Sequence, residues 1–321
     1  MTGSSDFNVL VINTGGTIGM TRTARGFAPC PDLSDRLTAA LTRQGPDMPT
    51  VTFMDYDPPL DSSNMRPCDW YHIARYIRAQ QSHYDGILVL HGTDTMAYTA
   101  AALAYLTADL EQPVVLTGSQ VPLSEPGSDA LYNFHGALEH LCLLESGGVY
   151  LHFNHRLMPG TRVAKIRTDG FDGFDTPRPN GKSPPRNPMP ASKVHRRLEQ
   201  THKVGMLSLY PGIEATLVDS YREAGYRGLV LECFGAGNGP DRDTAFLTGL
   251  RRAHEAGMVI VAVSGCHHGA ADLSRYATGL AIAGTGALSG HDMTREAAFA
   301  KLQILLDALD GSDEARAWVE H

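Results

Sequence analysis

Two threonine-bearing turns in this chain have the composition of a reaction centre. Asn13-Thr14-Gly15-Gly16-Thr17 ends one apolar run, and His91-Gly92-Thr93-Asp94-Thr95 ends another. Thr117-Gly118-Ser119-Gln120 and Asp61-Ser62-Ser63-Asn64 add further hydroxyls. Glycine in such turns lets backbone approach a small ligand closely. A threonine hydroxyl is a weak nucleophile at neutral pH. It needs a base or an ordered proton path, and donors for the oxyanion its attack creates. Asp94, beside Thr93, suits a carboxylate that orients a lysine. A lysine with pKa about 10.4 is a poor base at pH 7, and a nearby carboxylate pushes that value up. Taken singly, Thr93 and Asp94 read as helix N-caps and His91 as a structural hydrogen-bonding residue. Two such turns ending neighbouring strands point to a site. TGGTIG is neither GxGxxG nor a Walker sequence, which speaks against nucleotide binding.

The elements that must position these turns alternate. Apolar runs at 7–16, 86–92, 113–120 and 148–153 read as strands, and 69–80, 95–110 and 131–145 as helices. Apolar strands without alternation, each followed by a helix, imply a parallel sheet covered on both faces. Ligands of such sheets sit beyond the carboxyl ends of the strands, where the polar turns lie. The proline-rich stretch around 177–190 reads as a linker. Strands at 203–212, 228–238 and 258–266 follow, with helices at 243–257 and 294–309; Ala298, Leu302, Leu305 and Leu309 form an apolar stripe on the last. The expected fold is α/β: a larger N-terminal parallel-sheet domain (1–182), a linker (183–202) and a smaller C-terminal α/β domain (203–321).

Composition narrows the function class. The chain has 321 residues, 42% of them hydrophobic, and a net charge of −8. Acidic surface repels phosphate backbones and anionic lipid, so neither nucleic acid nor membrane is an expected partner. No apolar run reaches the ~18 residues of a membrane span, and the start reads as lacking a signal peptide, so a cytoplasmic location is expected. Cys30, Cys68, Cys142, Cys233 and Cys266 are scattered and odd in number, which fits packed thiols rather than a disulfide framework or zinc site. His267-His268 lacks a matching ligand pair and reads as solvent-facing or capping. The basic cluster from Arg162 to Arg167 reads as a solvated rim around a site lysine.

Thr14-Gly15-Gly16-Thr17-Ile18 and His91-Gly92-Thr93-Asp94-Thr95-Met96 together resemble the two signatures of bacterial-type L-asparaginases. The resemblance extends over essentially the whole chain. Leu60-Asp61-Ser62-Ser63-Asn64-Met65 is similar to the family's substrate loop, and Ala164-Lys165 with Asp169-Gly170-Phe171-Asp172 to its lysine segment. Phe234-Gly235-Ala236-Gly237-Asn238 and Gly290-His291-Asp292-Met293-Thr294 are similar to motifs of its smaller domain. The branch implied is the cytoplasmic type I.

The resemblance implies an L-asparagine amidohydrolase that makes L-aspartate and ammonia. Thr14 would be the nucleophile, with Thr93, Lys165 and Asp94 as the second hydroxyl-lysine-carboxylate group. Asp94 would also bind the substrate's α-amino group, and Asp61, Ser62 and Ser63 its α-carboxylate and amine end. The backbone amide of Thr93 and the region of Ser119 would serve the oxyanion and leaving amide. Asn238 would reach a neighbouring subunit's site, implying a homodimer or homotetramer. No metal or organic cofactor is implied. One residue departs from the family pattern. In Arg25-Gly26-Phe27, Phe27 stands where a lid tyrosine is expected, and a phenyl ring relays no proton. Two other readings share these residues. One is the amide-hydrolysing subunit of a tRNA-dependent amidotransferase, disfavoured by the short stretch before the first strand. The other is a non-catalytic amino-acid-binding relative.

Overall fold

Val9, Leu10, Val11 and Ile12 are each no more than 1% exposed, the burial of a strand covered on both faces. In the computed structural model, which describes residues 7–24, 26–45, 48–177, 201–309 and 311–319, they form β1 (Asn8–Gly15). The chain divides into two compact units, Met1–Thr176 and Pro177–His321. Of the stretch read as a linker, 183–200 lies outside the described residues. His202 is already docked in the second unit, its backbone N–H and its Nδ1 on Asp307 at 2.6 and 3.1 Å.

The first unit continues through a hairpin, β2 (Met20–Thr23) and β3 (Gly26–Pro29), then α1 (Leu33–Gln44) and β4 (Thr50–Leu60). Next come α2 (Pro67–Gln80), β5 (Gly86–Leu90), α3 (Met96–Leu106), β6 (Pro113–Thr117) and α4 (Ala130–Leu143). The last are β7 (Gly148–Phe153), β8 (Arg156–Pro159), β9 (Ala164–Lys165) and β10 (Phe174–Asp175). The main sheet has the order β4-β1-β5-β6-β7-β8. Neighbours are parallel except the antiparallel edge pair β7–β8. Counting parallel strands alone, this is the doubly wound order 2-1-3-4-5, whose switch point lies between β1 and β5. One face is packed by α1 and α4: Leu33, Leu37, Phe134, Leu138 and Leu141 join Val9, Val11, Leu88 and Leu90 in one core. β4 was not anticipated. Its sequence, TVTFMDYDPPL, mixes polar residues with two prolines and is largely exposed, the mark of an edge strand.

The second unit has a four-stranded parallel sheet, β11 (Val204–Ser208), β12 (Gly228–Cys233), β13 (Val259–Ser264) and β14 (Leu288–Ser289), in sequential order. Its helices are α5 (Ala215–Glu223), α6 (Thr244–Glu255), α7 (Ala277–Ala283), α8 (Arg295–Ala308) and α9 (Ser312–Val319). Two apolar clusters cover the sheet. Val218, Phe246 and Leu250 pack on one face, and the Ala298, Leu302, Leu305 and Leu309 stripe on the other. The fold is therefore α/β in both units, with a parallel-dominated sheet in the first and an all-parallel sheet in the second. Among the described residues, no helix is long and apolar enough to cross a membrane. Of the five cysteines, Cys233 is buried, Cys266 exposed and the others intermediate.

Candidate active site

Thr14 stands at the carboxyl end of β1, at the switch point. It is 1% exposed, and its hydroxyl donates to the Leu90 carbonyl at the end of β5, 2.8 Å away. The turns around it meet backbone to backbone. A Cβ on Gly16 would lie 2.3 Å from Gly92 N, one on Gly92 would lie 2.4 Å from Ser62 Oγ, and one on Gly15 2.5 Å from Leu60 O. Those spaces exclude any side chain. The glycines are what let the Thr14, Ser62 and Thr93 turns converge. Thr95 Oγ1 donates to Ser62 O at 2.7 Å, and His91 N to Thr117 O at 2.9 Å, which ties the second turn to its neighbours.

Thr93 and Asp94 do not cap α3. The N-cap position is Thr95, which makes no side-chain cap bond. Instead, Lys165 Nζ donates to Thr93 Oγ1 at 2.8 Å and to Asp94 Oδ1 at 2.7 Å. The Thr93 hydroxyl in turn makes a long contact, 3.5 Å, to Gln120 Oε1. Lys165 is held in β9, opposite Phe174 of β10; Phe174 is 2% exposed and packs on Phe153 with ring centroids 5.0 Å apart. The Lys165 side chain is 19% exposed and that of Asp94 64%. An ion pair so open to water adds little stability, so its value lies in where it holds the ammonium. Asp61 heads the Ser62–Asn64 turn, and its Oδ1 accepts from Ser63 N and Ser63 Oγ, both at 2.9 Å. Ser62 is 3% exposed.

Ser119 is 1% exposed and its Oγ is a buried hydroxyl with no partner among the described residues. Such an atom carries a desolvation cost unless a ligand or water meets it. Two residues that sequence reasoning did not single out hold this third turn. Asp129 accepts from Gln120 N and Val121 N at 3.0 Å each and from Asn133 Nδ2 at 2.9 Å. The same Asn133 nitrogen donates to Gly118 O at 2.9 Å. The available signal was an Asp immediately before a helix with an Asn four residues on, which looks like ordinary capping. Gln120 Nε2 donates to Gly170 O at 3.0 Å and Arg167 O at 3.3 Å, so one side chain straps the third turn to the lysine segment.

Thr14, Asp61, Ser62, Ser63, Thr93, Asp94, Ser119 and Lys165 all belong to the first unit; Asn238 belongs to the second. There Asn238 pairs with Phe234 through both backbone groups, at 2.8 and 3.0 Å, and its Oδ1 accepts from Thr278 Oγ1 at 2.8 Å. Phe27 lies on β3 opposite Arg22. It is 45% exposed, with the Arg22 guanidinium 5.0 Å from its ring centroid. Arg25 lies outside the described residues. The Arg162–Arg167 segment is partly solvated, with Arg167 paired to Asp172 at 3.4 Å.

His91 is fully buried, and burial pulls its pKa down to about 4 despite a hydrogen bond to Gly92 O. His152, on β7, is brought to about 4 chiefly by burial and secondarily by His140. Both are neutral in the folded protein at pH 7, whereas an unfolded histidine titrates near 6.5. Their contribution is therefore complete above about pH 6.5 and is lost as the pH falls towards 4. The urea-unfolding free energy should drop between pH 7.5 and 5.5 by roughly 1 kcal/mol per histidine. His152→Leu should flatten that dependence by about half; an unchanged slope would contradict the assignment.

A buried hydroxyl at a sheet switch point thus stands beside a threonine-lysine-carboxylate cluster, with glycines where the turns close on one another. The chain belongs to the asparaginase family. Residues 8–182 match the Asparaginase, N-terminal model, and 203–319 match the Glutaminase/Asparaginase C-terminal domain. L-asparaginase 1 of Escherichia coli K12 is 38% identical over 317 residues, covering 93% of this chain and 91% of that protein. A glutamyl-tRNA(Gln) amidotransferase component from Methanobrevibacter smithii is 32% identical, covering 93% of this chain and 72% of that protein. The crystal structure of L-asparaginase I from Vibrio cholerae superposes with a TM-score of 0.84 at 34% identity, covering 98% of this chain and 97% of that one.

Proposed function

We propose that this protein is an L-asparagine amidohydrolase of the type I kind, working through a threonine acyl-enzyme. The observation that carries the reading is the pair of bonds from Lys165 Nζ to Thr93 Oγ1 and Asp94 Oδ1. Thr14 Oγ adds to the side-chain amide carbon, and its proton passes to the leaving nitrogen. The C–N bond breaks and ammonia departs, leaving an aspartyl ester on Thr14. Water, oriented by Thr93 and Lys165, adds to the ester carbon; the C–O bond breaks, aspartate leaves and the proton returns to Thr14. The Thr93 amide and Ser119 supply donors to the developing oxyanion, and a preorganised donor of this kind is worth about 10²–10³ in rate. Asp94 takes the substrate ammonium, and Asp61, Ser62 and Ser63 hold the α-carboxylate end. In this reading Asn238 completes the site of a second copy in a homodimer or homotetramer. The enzyme works in the cytoplasm and needs no metal or organic cofactor.

The reading is tested by ammonia release from the purified protein with L-asparagine, L-glutamine and D-asparagine side by side. Release chiefly from L-asparagine is expected. Release only when a second protein and a misacylated tRNA are supplied would favour the amidotransferase reading, which the Methanobrevibacter relative keeps in view. Binding of aspartate without turnover would make the protein a non-catalytic relative.

A further inference from the structure

His91 is buried, neutral and absent from the steps above, yet its hydrogen bonds are fully determined. Trp70 Nε1 donates to Thr99 Oγ1 at 3.1 Å, Thr99 Oγ1 lies 2.9 Å from His91 Nε2, and His91 Nδ1 lies 2.7 Å from Gly92 O. An indole N–H only donates and a carbonyl only accepts. Nδ1 therefore carries the proton, Nε2 is bare, and the Thr99 hydroxyl donates to it. The chain of donors runs one way, from α2 through α3 to the peptide that joins Gly92 and Thr93. Trp70 is 3% exposed and Thr99 and His91 0%, so water does not compete for these bonds.

The Gly92 carbonyl and the Thr93 N–H belong to one planar trans peptide and point in opposite directions. Among the described residues, no acceptor in the chain takes the Thr93 N–H. We propose that His91 is a positioning residue that locks this peptide, holding the Gly92 oxygen inward so that the Thr93 N–H stays presented to the oxyanion. Gly92 needs such a lock. It has no side chain of its own, and Ser62 Oγ and Gly16 Cα leave no room for one. Without the imidazole, the carbonyl loses its partner and the peptide is free to turn its oxygen outward. The donor would then be replaced by an acceptor where negative charge develops.

The inference rests on the Thr93 amide serving the oxyanion, and its test reads both the chemistry and the peptide itself. His91→Leu removes the donor, whereas His91→Asn keeps an N–H near the Nδ1 position. Expected is a kcat loss of about 10²-fold in H91L with KM within about threefold, and recovery of at least about tenfold of that loss in H91N. Crystal structures should show the Gly92–Thr93 peptide rotated in H91L and unrotated in H91N. A folded H91L with kcat near the parent value, an unrotated peptide, or equal loss in both variants overturns the proposal. If H91L does not fold, Thr99→Val takes its place. It leaves the Nδ1–H on Gly92 O but removes the donor that seats Nε2, so it should lower kcat about tenfold and leave the Gly92–Thr93 peptide rotated in its crystal structure; retention of both rate and peptide orientation overturns the proposal. Should the parent release no ammonia from any amide, the functional reading fails, while peptide orientation still decides the lock.

Discussion

Thr14→Ala is expected to lower kcat for ammonia release by at least about 10³-fold while leaving a folded protein. The loss follows from removing the attacking oxygen, since no neighbouring group can replace it in the acyl-forming step. The fold should survive because the deletion is small. What disappears is one hydroxyl with its 2.8 Å bond to Leu90 O, worth on the order of 1 kcal/mol net, and one buried methyl, worth about 1 kcal/mol more. Thermal unfolding of the variant should therefore remain cooperative and shift by only a few degrees. Activity within tenfold of the parent would remove Thr14 from the mechanism and move attention to Thr93.

The second large effect is on assembly of the site. Gly16→Ala is expected to destabilise the protein by about 3–5 kcal/mol, or to prevent its accumulation, from two costs acting together. Gly16 has φ +94, a region that L side chains rarely adopt. Its Cβ would also fall 2.3 Å from Gly92 N and 2.4 Å from Gly92 Cα, both backbone atoms that cannot swing aside. Gly26 is the matched control. It too has a positive φ, +102, but among the described residues nothing lies within 4 Å of the position a Cβ would take. Gly26→Ala should then cost only about 1 kcal/mol, from backbone conformation alone. Equal losses in the two variants, measured by urea unfolding, would mean that close packing of the Thr14 and Thr93 turns contributes nothing.

Much of this arrangement was legible in the sequence where local chemistry was strong. The apolar runs that became β1, β5, β6 and β7 announced a parallel sheet, and polar turns at their carboxyl ends announced a site. Boundaries were less secure: α3 ends at Leu106, short of the expected 110, because Thr107–Asp109 turns away. β4, half polar and carrying two prolines, has no period that separates it from a loop. The contact of Lys165 with Thr93 spans 72 positions, and nothing in local spacing foretells it; only resemblance to a family marked that lysine. Asp129 and Asn133 were passed over for a related reason. Each looks like common turn chemistry until the fold shows which backbone groups it holds. Taken singly, Thr93 and Asp94 read as caps, and only a second such turn at a neighbouring strand end spoke for a site. Capping is the usual fate of such residues, but here a lysine from a distant hairpin binds them first.

Whether an acyl-enzyme lies on the path is tested most directly by partitioning with hydroxylamine. The wild-type protein would be given L-asparagine and, separately, the β-methyl ester of L-aspartate, each with the same mixture of water and hydroxylamine. If both pass through one aspartyl ester on Thr14, ammonia and methanol have already departed before the nucleophiles compete. The ratio of aspartyl hydroxamate to aspartate must then be the same from the two substrates. A ratio that changes with the leaving group would mean that water attacks the substrate itself, and the threonine acyl-enzyme would have to be abandoned.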